Sequence, residues 1–125
     1  MRQSIRTQVA GRAEHVCEYC GWPDWFSPVT FAIEHILPLA RGGTDDLDNL
    51  AYSCPGCNGY KHDDIKARDP ASGELAPLYH PRRDNWEEYF AWSFDGLHIV
   101  GISPTGRTSV HRLRLNRPEI PQAPE

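Results

Sequence analysis

Four cysteines set as two C-x-x-C pairs, Cys17/Cys20 and Cys54/Cys57, constrain this 125-residue chain more than any other feature. No cysteine is left over. In a reducing compartment two such pairs favour metal binding over disulfides, and together they supply the tetrahedral thiolate cage that zinc prefers. One C-x-x-C alone would suit a redox dithiol, but the second pair argues against it. Composition points the same way. Only 39% of residues are hydrophobic, and eleven prolines with ten glycines imply much turn and loop. A single core this thin ordinarily needs a metal or a disulfide to stand.

No run of 18 apolar residues is present, so no membrane span is expected. Residues 1–15 lack the apolar stretch of a secretory signal. The chain therefore reads as soluble and cytoplasmic, a monomer or weak dimer. Its formal net charge of −4 is unevenly spread. Residues 1–16 carry three Arg against one Glu, residues 17–70 four basic against nine acidic groups, and residues 71–125 six against seven. General attraction to nucleic acid is then weak, and any DNA contact must rest on local patches and on a metal bridging to phosphate.

Residues 3–14 read as a helix, with Ile5 and Val9 four apart. Cys17 to Gly21 is a knuckle in which Gly21 can take a positive φ. Thr30–Ile36 and Leu50–Ser53 read as strands around a loop containing Gly42-Gly43 and three Asp. The second knuckle, Cys54 to Cys57, leads into a helix predicted from Asn58 to about Ala67. Beyond it, Tyr89–Phe94 and Leu97–Ser103 flank Asp95-Gly96, a strong hairpin signal, and residues 107–115 look helical. On that helix Val110 and Leu113 point one way, while Arg107, His111 and Arg114 share the other face. Four Arg and no acid lie within 105–117. This is either a solvated face or a phosphate-contacting one, with Arg107 and Arg114 as the DNA-binding candidates. The organisation expected is a core over 1–70, a hairpin-and-helix extension over 71–117 packed on it, and a flexible proline-rich tail over 118–125.

Between and just after the cysteine pairs lie Glu34-His35, Asn49, Asn58 and His62. A carboxylate beside an imidazole, followed by amides, suits hydrolysis with one hard metal ion, because magnesium takes oxygen ligands and keeps several waters. Imidazole is the natural base near neutral pH. In a regular strand Glu34 and His35 face opposite ways, so the chain must bend there for both to serve one site.

The run Cys17-Glu18-Tyr19-Cys20-Gly21, then Glu34-His35-Ile36-Leu37-Pro38-Leu39-Ala40-Arg41-Gly42-Gly43, Leu47-Asp48-Asn49-Leu50 and Cys54-Pro55-Gly56-Cys57-Asn58-Gly59-Tyr60-Lys61 resembles the HNH endonuclease family across roughly residues 14–64. The resemblance implies an α+β chain built on the ββα-metal fold, with a structural four-cysteine zinc site and DNA as substrate. By position, His35 takes the place of the general base and Asn49 that of the residue holding loop and base. Asn58 and Glu34 take the places of the catalytic metal ligands, where many members have His and Asp respectively. His62 is an extra or substitute ligand. Asn in the third place suits magnesium or manganese better than zinc. Arg41 and Lys61 are candidate contacts to the DNA backbone.

Each residue has a plainer alternative. Glu34-His35 also reads as an exposed pair on an edge strand, Asn49 as a loop cap and Asn58 as a helix N-cap. The four Trp fit core and loop anchors better than base-stacking platforms. The rival function is a non-catalytic zinc module binding nucleic acid or protein, which explains the cysteines but leaves the polar set as coincidence. A zinc deaminase is excluded, because it needs an H-x-E element and this chain has Glu34-His35 in the reverse order.

Overall fold

The computed structural model describes residues 2–118. The chain divides into two compact units, Met1–Asp63 and Asp64–Glu125. Of the predicted tail, only Pro118 falls among the described residues.

The first unit opens with helix α1, Gln3–Arg12, which buries Val9 and Ala10. Strands β1, Ala32–His35, and β2, Leu50–Ser53, form an antiparallel hairpin with His35 opposite Leu50 and Glu34 opposite Ala51. Helix α2, Pro55–Lys61, follows at once. The core is Val9, Phe31, Ile36 and Leu50 together with the four cysteines. Two arginines of α1 hold the hairpin. Arg6 donates to the Phe31 carbonyl at 2.9 Å, and Arg12 donates to those of Leu47 and Leu50 at 2.8 and 2.7 Å. The excess positive charge of residues 1–16 thus does internal hydrogen bonding.

The α2 helix differs from its prediction at both ends. It starts three residues early because Pro55 supplies the fixed φ suited to a first helical position and the Cys54 sulfur caps it, accepting from Cys57 N–H at 3.4 Å. Cys54, and not Asn58, is therefore the N-cap. The helix stops at Lys61, since His62 takes φ 51 and ψ −130.

In the second unit, strands β3, Lys66–Arg68, and β4, Leu75–Pro77, pair antiparallel. Residue 70, the predicted end of the core, lies in the connection between them. Helix α3, Trp86–Tyr89, precedes the hairpin of β5, Phe90–Trp92, and β6, Ile99–Gly101, with Gly96 at φ 73 in its turn. Helix α4 runs Pro104–Arg112, starting earlier than predicted because Ser103 Oγ accepts from Gly106 N–H at 2.9 Å and Pro104 follows. Its buried face is Thr105, Thr108 and Ser109, polar residues that a hydrophobicity pattern passes over. Leu78, Ile99, Leu113 and Leu115 are buried here beside aromatic rings, Tyr79 edge-on to Phe90 at 5.2 Å and Trp86 tilted on Phe90 at 5.5 Å.

Candidate metal and hydrolytic site

The first knuckle is a tight turn. Cys17 N–H donates to the Trp22 carbonyl at 2.8 Å, and Gly21 adopts φ 82, which a side chain would strain. Tyr19 N–H donates to Cys17 Sγ at 3.4 Å. The second knuckle is the α2 N-terminus. Together they bring all four buried sulfurs within 4.8 Å of one another, with Cys20 and Cys54 at 3.7 Å. A tetrahedron with zinc–sulfur bonds of about 2.3 Å has edges of about 3.8 Å, so the set fits zinc. Their mutual hydrogen bonds drive Cys54 far below the ordinary thiol range while pushing Cys20 and Cys57 well above it, and Cys17 is lowered as well. A bound dication would balance the charge of four thiolates together.

Between the knuckles, one asparagine organises the loop. Asn49 Oδ1 accepts from Leu37 N–H at 2.9 Å, and its Nδ2 donates to the carbonyls of Leu37 and Thr44 at 3.0 and 2.8 Å. A single side chain thereby closes the loop from residue 37 to residue 44. The glycines make this return possible. Gly42 has φ 94, and a Cβ on Gly43 would stand 1.8 Å from the Leu37 carbonyl oxygen. Gly43 N–H donates to the Pro38 carbonyl at 3.0 Å.

His35 lines a cleft of about 370 Å³ that is also bordered by Glu34, Pro38, Leu39, Asn58, His62 and Asp63. Asn58 and His62 are exposed there. The imidazole Nε2 stands 2.7 Å from Asp45 Oδ1, a partner the sequence reading does not contain. The signal that points to it is the acidic loop itself, but three aspartates within residues 45–48 do not say which one reaches the ring.

Glu34 departs from its predicted setting. The strand stays regular through residues 32–35, without the expected bend, yet Glu34 and His35 both border the cleft. Glu34 is buried, its Oε1 accepting from the Tyr19 hydroxyl and its Oε2 lying 2.7 Å from Lys61 Nζ. Burial and the nearby carboxylate push the Tyr19 hydroxyl well above its usual range, so it remains a donor. Lys61 is a correction. It is 1% exposed and donates to the Ile36 carbonyl at 3.1 Å, so its ammonium cannot reach a phosphate. A desolvated ammonium requires a carboxylate, and Glu34 is that carboxylate. The pair joins α2 to β1, and Tyr19 ties both to the first knuckle.

Arg41 is exposed at the end of the turn Leu39–Arg41. Arg107, predicted on an open basic face, instead makes a two-point ion pair with buried Asp69 through Nε at 3.0 Å and Nη2 at 2.7 Å. Arg114 lies past the α4 terminus with φ 50, so it does not continue a helical face with Arg107 and His111.

Among the described residues the cysteine set alone gathers three or more Cys, His, Asp or Glu ligand atoms closely enough to hold a metal. No helix in them is long and apolar enough to cross a membrane. Among curated proteins, none matches the chain. Residues 17–64 do match the HNH endonuclease family. That span begins at Cys17 and closes just past α2, so the family match takes in the hairpin, the Asn49-stapled loop and the four-cysteine cluster described above.

Proposed function

We propose that the chain is a metal-dependent endonuclease that hydrolyses DNA phosphodiester bonds in the cytoplasm, with zinc as a structural ion and magnesium or manganese as the catalytic one. One observation carries this reading: His35 opens onto the same cleft as Asn58 and His62, at the end of a loop that Asn49 holds shut.

His35 takes a proton from water, and the oxygen attacks phosphorus as the bond to the 3′-oxygen breaks. That oxygen takes a proton from solvent, leaving 5′-phosphate and 3′-hydroxyl ends. Asn58 and His62 would hold the divalent cation, an amide oxygen and an imidazole that leave room for waters. Glu34 would join them only by giving up Lys61. When bound, the cation supplies charge stabilisation to the phosphoryl and leaving oxygens. Asn49 keeps the loop and the base in register. Arg41 is exposed directly after the cleft-lining Leu39 and Ala40 and is available to a phosphate, whereas contacts by Arg107 would compete with Asp69.

The test is nicking of supercoiled plasmid by the zinc-loaded chain with magnesium or manganese, beside an EDTA control and His35→Ala. Loss of a positioned base lowers the rate roughly 10²–10⁴-fold. Cleavage that vanishes in the variant while zinc stays bound upholds the reading. Absence of cleavage under every metal by a folded, zinc-replete protein sinks it in favour of a non-catalytic zinc module, which a DNA-binding titration would then characterise.

A further inference from the structure

We propose that Asp45 is the positioning residue of His35, its carboxylate holding Nε2–H so that Nδ1 is left as the proton-accepting nitrogen. The inference rests on the nuclease reading of His35. The contact is 2.7 Å long, the length of a charge-assisted hydrogen bond, between a ring that is 24% exposed and a carboxylate that is 70% exposed. An acidic side chain this open to water stays on one partner only where the backbone beneath it is set. Here the backbone is set from several sides. Asn49 Nδ2 grips the carbonyl of Thr44, the residue directly before Asp45, and Asp46 N–H, directly after it, donates to Thr44 Oγ1 at 3.2 Å. Gly42 and Gly43 let the loop fold back onto Leu37 and Pro38.

The tautomer of a neutral imidazole is chosen by the hydrogen bond its other nitrogen makes. With Nε2–H committed to Asp45, the lone pair resides on Nδ1. The same carboxylate faces the imidazolium that forms when Nδ1 takes the proton from water. Asn49, through its bond to the Thr44 carbonyl, thereby acts on the base through Asp45 as well as through the loop.

The test uses the full zinc-loaded chain labelled with ¹⁵N-histidine, as wild type, Asp45→Ala and Asp45→Asn. Long-range ¹H–¹⁵N correlations read the His35 tautomer at a pH where the ring is neutral, and plasmid nicking with magnesium reads kcat and KM. The wild type should show the Nε2–H form. Asp45→Ala should turn it into a mixture and lower kcat about 10- to 100-fold with KM unchanged, while Asp45→Asn, which keeps an acceptor oxygen, retains the tautomer and recovers part of kcat. An unchanged tautomer in Asp45→Ala, or undiminished kcat, overturns the proposal. A wild type that does not cut but shows an Asp45-dependent tautomer sustains the positioning and sinks the nuclease reading alone.

Discussion

The two units of this chain solve the problem of small size in different ways. In residues 1–63 the interior is shared between a few apolar side chains and four sulfurs, and long-range polar contacts carry the rest: Arg12 on two carbonyls, Asn49 on three backbone groups, Lys61 on Glu34. In residues 64–118 aliphatic side chains such as Leu78, Ile99, Leu113 and Leu115 pack with edge-on and tilted aromatic rings, and one buried carboxylate, Asp69, is satisfied by Arg107, Ala71 N–H and Ser72. A domain built on a metal and directed hydrogen bonds can hold an exposed loop in one geometry. The candidate hydrolytic residues all lie in the first kind of unit.

Zinc removal should break the comparison most severely. Structural zinc in small modules contributes about 10–16 kcal/mol at neutral pH, so chelation should unfold the first unit. Segment-resolved hydrogen exchange is expected to lose protection at β1, β2 and α2 while β5, β6 and α4 keep theirs. Equal loss in both would mean that the second unit depends on the zinc frame after all.

Next in size is Lys61→Met in the zinc-loaded protein. Removing one member of a buried ion pair leaves the other charge desolvated, at a cost of about 3–5 kcal/mol. Denaturant unfolding followed through residues 1–63 should show it. Glu34→Gln sharpens the point: a carboxylate that only frames the unit loses stability on this change, with or without magnesium. One that serves as a ligand loses magnesium response at unchanged stability.

The smallest effect belongs to the second unit and to acid. Asp69 is held well below the usual carboxylate range, chiefly by Arg107 and then by Ala71 N–H. A carboxyl depressed in the folded state contributes stability that is present above its unfolded pKa of about 3.9 and is lost as pH falls below it. Thermal unfolding of the second unit should therefore weaken below about pH 4. Asp69→Asn should flatten that dependence, and an identical acid profile in the variant would remove Asp69 from the account.

Much of the first unit is legible in the sequence. Strand β2 occupies its predicted residues, Leu50–Ser53, and Gly21 has the positive φ its place in the knuckle demands. The cysteine cluster follows from spacing alone. Less could be read where a residue's setting depends on what faces it. Lys61 looks like any surface lysine until α2 packs on β1, and the buried face of α4 is made of Thr and Ser, which no apolar period marks.

By itself, the sequence determined whatever is local or carried by rare residue types: the metal cage, the knuckle turns, the hairpin and the family pattern around His35. Tertiary structure decided how the polar residues are partnered. Strand alternation turned Glu34 inward to Lys61 and Tyr19, and loop closure by Asn49 brought Asp45 to His35. The physical reason is that a charge or an amide carries no label for its partner. Its role is set by desolvation and by hydrogen-bond geometry, and both exist only after distant segments have met.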